Sequence, residues 1–187
     1  IEVERRNLAR FGYGVKAFTL SMIETAVEVS GGRVTGSEVQ RILDWSKELM
    51  DHPVELLDGV VETVGSLAEQ HDLVLVTKGD LLHQESKVAR SGLTELFDGI
   101  HIVSEKDPDT YRRVLEAHGT RPDSFVMVGN SVRSDVQPVL QLGGTGIHVP
   151  YHTTWALELV ENDDAGGYER VERIADVPGV LERLAGT

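Results

Sequence analysis

Three short segments carry the residue types that holding a phosphate would need. In Leu73-Val74-Leu75-Val76-Thr77-Lys78-Gly79-Asp80 an apolar run ends in a hydroxyl, and the glycine lets backbone N–H groups approach a ligand closely. Such a turn can hold a phosphoryl group, with Thr77 and Lys78 as its contacts. Ser104-Glu105-Lys106-Asp107-Pro108 sets Lys106 just ahead of a helix start, where positive potential already accumulates, and so suits an anionic substrate. The third segment, Val126-Met127-Val128-Gly129-Asn130-Ser131-Val132-Arg133-Ser134-Asp135, ends an apolar run in oxygen-bearing side chains. Among these, Asn130 and Asp135 could face a hard cation such as Mg²⁺. Taken singly, each segment has a plain alternative: Thr77 as β-branched strand filler, Lys106 as a solvated side chain, Gly129-Asn130-Ser131 as a turn.

For the three to meet, they must lie at the carboxyl ends of neighbouring parallel strands, which is where open α/β sheets bind ligands. The pattern supplies those elements. Apolar runs of strand length at 73–77, 99–104, 125–129 and 146–149 alternate with helical stretches at 60–70, 84–92, 108–118 and 135–142. A weaker strand at 168–174 and a closing helix at 177–185 follow. Asp107 with Pro108 is a helix start, and Tyr111, Val114, Leu115 and His118 make that helix's buried stripe. The alternation implies an α/β fold, a parallel sheet covered on both faces and joined by right-handed crossovers. Residues 1–52 read differently, as helices only, with a Gly12/Gly14 break and a capping box expected at Ser37 and Gln40. Asp51-His52-Pro53 interrupts that pattern, so residues 1–52 are expected to form a small helical lobe and 53–187 the core.

Bulk properties narrow the function classes. The 187 residues carry 31 acidic and 18 basic side chains, a net charge of −13, and no Lys/Arg run offsets it locally, which argues against a nucleic-acid partner. Without cysteine there are neither disulfides nor thiolate metal sites, and a reducing compartment, the cytoplasm, is expected. No apolar run reaches the roughly 18–20 residues of a membrane helix. The chain opens on Ile1.

In order and spacing, Thr77, Lys106 and the Gly129–Asp135 segment resemble the second, third and fourth motifs of the haloacid dehalogenase superfamily: a strand-end Ser/Thr, a Lys before a helix, and a Gly-Asp-Ser-type acidic loop. The resemblance covers roughly residues 53–150, and the helical start is similar to the family's inserted cap. It implies a three-layer Rossmann-like core under a small cap, and Mg²⁺-dependent hydrolysis of a small phosphomonoester through an aspartyl-phosphate. In that scheme Thr77 and Lys78 bind phosphate, Lys106 balances charge, and Asn130 and Asp135 serve the metal. The family's first motif, Asp-x-Asp-x-Thr, which carries the nucleophile, does not occur in these residues. Its strand, by resemblance, belongs between the strands ending at Thr77 and Gly129, and a preceding segment is expected to supply it. Asn130 stands where phosphatases of the family have aspartate, which keeps open a metal-free 2-haloacid dehalogenase. The absent nucleophile keeps open a binding module. Oligomeric state is left undetermined. His152, in Pro150-Tyr151-His152-Thr153-Thr154-Trp155, could contact substrate but is expected at the surface or in packing, and Arg133 is expected to pair with a carboxylate or sit in solvent. Phe11, Tyr13, Phe18 and Met22 could line a substrate cavity, but their helical spacing makes packing within the helical lobe the expectation.

Overall fold

The structure is a computed structural model that describes residues 1–152, 156 and 166–186. Three helices come first: α1 (Glu2–Phe11), α2 (Val15–Ser30) and α3 (Gly36–Asp51). They pack in sequence, α1 on α2 and α2 on α3. Small and polar groups make part of this interface. Thr19 Oγ1 donates to Ser46 Oγ at 2.6 Å, and Asn7 Nδ2 to Ser21 Oγ at 3.2 Å. The capping box of α3 lies two residues earlier than the sequence suggested. Thr35 caps the helix, its hydroxyl accepting from Glu38 N at 3.3 Å, while its own N–H donates to Glu38 Oε2 at 2.8 Å. Two overlapping boxes compete in Thr35-Gly36-Ser37-Glu38-Val39-Gln40, and the charged carboxylate of Glu38 is the better acceptor at the positive end of a helix.

The remainder alternates helix and strand: α4 (Val60–Ala68), β1 (Val74–Lys78), α5 (Leu81–Ser91), β2 (Gly99–Val103), α6 (Pro108–Ala117), β3 (Val126–Gly129), α7 (Gln137–Gln141), β4 (Thr145–His148), β5 (Glu169–Arg170) and α8 (Val177–Ala185). All pairings are parallel, β1 with β2, β3 with β4 and β4 with β5. The strands fall into two ladders, β1-β2 and β3-β4-β5, and among the described residues no strand joins β1 to β3. A single apolar cluster nonetheless spans the break, with Val76 of β1 and Met127 of β3 packed on Tyr111 and Val114 of α6 and Val139 of α7. Because alternate strand residues face opposite sides, Val126 and Val128 point the other way, into a second cluster with Ile147, Val177 and Val180. The sheet is thus sandwiched between helical layers, as the alternating pattern requires.

Residues 132–142 depart from the single helix expected from 135. A π-helical turn covers Val132–Val136, and α7 follows at Gln137–Gln141. Pro138 has no N–H to donate to the Ser134 carbonyl four residues back. The buried Tyr111 hydroxyl takes that place at 3.0 Å, so the widened turn leaves no buried acceptor orphaned there. At the other end of α6, His118 lies with His101 of β2, Nε2 to Nε2 at 2.9 Å and the rings edge to face. One ring must donate and the other accept. Burial first, and then the neighbouring His118, lower the proton affinity of His101 below the ordinary histidine range. Among the described residues no helix is long and apolar enough to cross a membrane.

Two outcomes follow from this packing. Ile147→Ala, at a fully buried site, is expected to destabilise the fold by about 2–5 kcal/mol in urea unfolding. Leu184→Ala, at a side chain that is 40% exposed, should change it by under about 0.5 kcal/mol. A histidine whose folded pKa is lowered contributes stability that is complete above its unfolded pKa and is lost as pH falls from there through the lower folded value, so unfolding midpoints should drop below about pH 6.5. His101→Leu should flatten part of that drop.

Candidate active site

The C-terminal ends of β1, β2 and β3 lead into three loops whose side chains meet. β2's exit loop carries Lys106, whose Nζ donates to Asp135 Oδ1 at 2.7 Å, with the two side chains 13% and 5% exposed. Asp135 belongs to the loop beyond β3 and folds back on the strand end, where its Oδ2 accepts from Ser131 N at 3.0 Å. This return requires Gly129, because a Cβ there would stand 2.2 Å from Asp135 Oδ2. Ser131 also caps the π-turn, its hydroxyl accepting from Ser134 N at 3.1 Å. Both carboxylate oxygens of Asp135 are therefore engaged, one with a charge and one with backbone.

β1 ends in Thr77 and Lys78. Alternation along the strand puts Lys78 on the face of Val76 and Thr77 on the opposite one. The Lys78 ammonium reaches Glu105 Oε1 at 3.2 Å and Ser134 Oγ at 3.3 Å, so it touches both neighbouring loops. Beyond it Gly79 has φ 145, and a Cβ there would meet the Gln84 side chain at 2.8 Å. Gln84 Nε2 in turn donates to the Lys78 carbonyl at 3.3 Å and fixes the turn. Glu105 joins the exits of β1 and β2 to the loop between α1 and α2. Besides Lys78, its Oε1 accepts from the Lys106 amide at 2.9 Å and its Oε2 from the Tyr13 hydroxyl at 2.6 Å. Burial works to raise its pKa, but the hydrogen bonds from Tyr13, Lys106 and Lys78 outweigh it and hold the carboxyl below its usual range.

The structure thus brings Lys78, Lys106 and Asp135 into one connected cluster, with Thr77 at the same strand end. Asn130 is exposed at the end of β3, and its carbonyl lies 3.2 Å from Nε2 of the buried His148 at the end of β4. Asn130 and Asp135 do not by themselves fit Mg²⁺. The ion takes near-octahedral oxygen ligation, whereas here one donor is a neutral amide and the other carboxylate already serves Lys106 and Ser131. Among the described residues no group of three potential metal-ligating side chains gathers. Arg133 and His152 are exposed; Thr153, Thr154 and Trp155 lie outside the described residues.

Sequence reasoning did not assign Glu105, Ser134 or His148, and it took Phe11, Tyr13 and Phe18 as packing. Phe11 is 49% and Phe18 41% exposed, so neither is buried as packing within the helical lobe. Tyr13 instead reaches across to Glu105. The available signal was its setting between Gly12 and Gly14, with φ 69 and 116, a loop that presents the side chain rather than burying it in a helix face.

A family model described as haloacid dehalogenase-like hydrolase matches residues 6–143. The chain is 28% identical over 104 residues to N-acylneuraminate-9-phosphatase of Mus musculus, covering 53% of this chain and 42% of that protein. It is 25% identical over 115 residues to glyceraldehyde 3-phosphate phosphatase of Pyrococcus furiosus, covering 59% and 46%. The chain therefore spans less than half the length of these curated relatives. Among solved structures, a haloacid dehalogenase-like family hydrolase from Xanthomonas campestris superposes with a TM-score of 0.89 at 45% identity, over 99% of this chain and 75% of that one. A 2-haloacid dehalogenase from Pseudomonas syringae matches with a TM-score of 0.65 at 19% identity over 98% and 79%, a likeness of fold alone.

Lys106→Met would strand the buried Asp135 carboxylate and is expected to cost about 3–5 kcal/mol in chemical denaturation. Adding Asp135→Asn to that variant should recover part of the loss, because no uncompensated charge then remains inside.

Proposed function

Because the chain belongs to the haloacid dehalogenase-like hydrolase family, we propose that it serves a phosphoric monoester hydrolase acting on a small phosphorylated metabolite. The observation that carries this reading is the meeting of Lys78, Lys106 and the Asp135 loop at the carboxyl end of the strands, held by the 2.7 Å Lys106–Asp135 contact. The phosphatase names of the two curated relatives support it. Residues 1–52 act as the cap and 53–187 as the core. The nucleophilic aspartate comes from a strand lying between β1 and β3, whose facing edges are unpaired among the described residues. Two parallel ladders sharing one apolar cluster are the arrangement such a strand would complete.

In this mechanism an aspartate oxygen bonds to phosphorus while the bond from phosphorus to the leaving-group oxygen breaks, and that oxygen departs with a proton given by a second carboxyl group, the general acid, on the same strand as the nucleophile. Water then attacks phosphorus, the acyl-phosphate bond opens, and orthophosphate leaves. This chain contributes position and charge. Thr77 and the amides around Lys78 hold phosphoryl oxygens. Lys78 draws in the anion, and Lys106 offsets the negative charge shared by nucleophile and phosphoryl group. Asp135 keeps Lys106 aimed and the loop folded. Magnesium belongs to the proposal with Asn130 and Asp135 as its neighbours, further carboxylate oxygens being needed to complete its shell; when bound it would neutralise phosphoryl charge. The composition, free of cysteine, supports a cytoplasmic setting.

Asn130 favours a second reading, hydrolytic dehalogenation of a 2-haloacid, in which the aspartate attacks carbon and halide leaves without a metal. Assays of the whole gene product separate the two. Phosphate release from a panel of small phosphomonoesters, abolished by EDTA and restored by Mg²⁺, is expected. Halide release in EDTA would favour the dehalogenase, and no release of either kind would sink both. Lys106→Met is expected to lower kcat/KM for phosphate release by about 10²–10³ or more, as removal of a preorganised charge at the reacting centre does.

A further inference from the structure

The geometry points to Tyr13, on the loop between α1 and α2, as a positioning residue that sets the Lys78 ammonium for anion binding. This rests on the anion site proposed above but concerns a residue outside its three motifs. The Lys78 Nζ lies 4.1 Å from the centroid of the Tyr13 ring, within cation–π range. The same tyrosine donates its hydroxyl to Glu105 Oε2 at 2.6 Å, and Glu105 Oε1 holds the same ammonium at 3.2 Å. Tyr13 thus grips Lys78 twice, directly through its ring and indirectly by orienting the carboxylate that pairs with it.

The loop bearing Tyr13 is itself pinned to the exit of β1. Lys16 N donates to Asp80 Oδ2 at 3.0 Å, and Lys16 Nζ pairs with Asp80 Oδ1 at 3.3 Å. Gly14 lies so close that a Cβ on it would stand 2.6 Å from Asp80 Oδ2. Asp80 is two residues beyond Lys78, so the tyrosine and the lysine are located by one shared anchor. A lysine free in solvent would surrender much side-chain entropy on meeting a phosphate, whereas Lys78, 15% exposed and already held, surrenders less. An aromatic face has an advantage here over a second carboxylate. It attracts the ammonium without adding a formal negative charge that would repel an arriving dianion.

The test reads binding of inorganic orthophosphate to the whole gene product by calorimetry, alongside phosphate-release kinetics. Tyr13→Leu is expected to weaken orthophosphate about tenfold and to raise KM similarly, with kcat within about threefold. Tyr13→Phe, which keeps the ring and loses the Glu105 bond, should weaken it about threefold. Lys78→Met should weaken binding at least as much as Tyr13→Leu, and the double variant should match Lys78→Met within about twofold, because a residue acting through another adds nothing once that other is gone. Circular dichroism and thermal unfolding of each variant verify folding, and Tyr13→Phe keeps the test decisive if Tyr13→Leu unfolds. Tight orthophosphate binding by Tyr13→Leu, additive effects in the double variant, or no orthophosphate binding by the unsubstituted protein would each overturn the proposal. Orthophosphate binding that follows the expected pattern while no phosphoester turns over would uphold Tyr13 and defeat the hydrolase reading instead.

Discussion

The contact between Lys106 and Asp135 joins the exit of β2 to the exit of β3 across a sheet whose two ladders share no hydrogen bonds among the described residues. Withdrawing both charges from water is expensive, and a pair of this kind persists only where the geometry is close and the remaining oxygens are satisfied. Both conditions are met. Asp135 presents one oxygen to the ammonium at 2.7 Å and the other to the Ser131 amide at 3.0 Å. The pair therefore fixes the Lys106 ammonium at the strand ends and the shape of the loop beside it. Gly129 is the steric condition for that arrangement, since any side chain there would fill the space the carboxylate occupies.

Beneath the polar cluster, α6 does the corresponding apolar work. Tyr111 is fully buried against Val76 and Met127, one from each ladder, so the same ring that packs the core also lends its hydroxyl to the Ser134 carbonyl. Ser134 in turn sits beside Lys78. A path of direct contacts thus leads from the core through the π-turn to the ammonium at the end of β1. The polar cluster and the hydrophobic cluster are two sides of one construction. In a molecule with a net charge of −13, each of these two lysines is held by a carboxylate, Lys78 by Glu105 and Lys106 by Asp135.

Much of the framework was legible from periodicity and capping. The alternation of apolar runs with amphipathic stretches gave the order of β1 to β4 and their helices, and Asp107 with Pro108 marked the start of α6, where the carboxylate accepts from Thr110 N at 2.7 Å. These signals are local, so a sequence displays them. Where two local signals overlapped, as in Thr35-Gly36-Ser37-Glu38-Val39-Gln40, the choice passed to electrostatics at the helix end and was misjudged by two residues. The turn at Val132–Val136 was misread for another reason. Pro138 does fall in the first turn of α7, but the Ser134 carbonyl that it leaves unpaired is met by Tyr111, 23 residues away in the chain.

The sequence by itself determined which side chains stand at the ends of which strands, because strand length, glycine position and capping chemistry are written within a few residues of Thr77, Lys106 and Asp135. Only the tertiary structure decided which of them touch, and what else joins them. Tyr13 and Glu105 are 92 residues apart, and no pattern within either segment pairs them. Their meeting depends on how the first helices dock against the exit of β1, a matter of Gly14 admitting Asp80 and of Lys16 closing over it. Contacts of that kind come from the shapes of two surfaces, and shape at long range is settled only when the whole chain has packed.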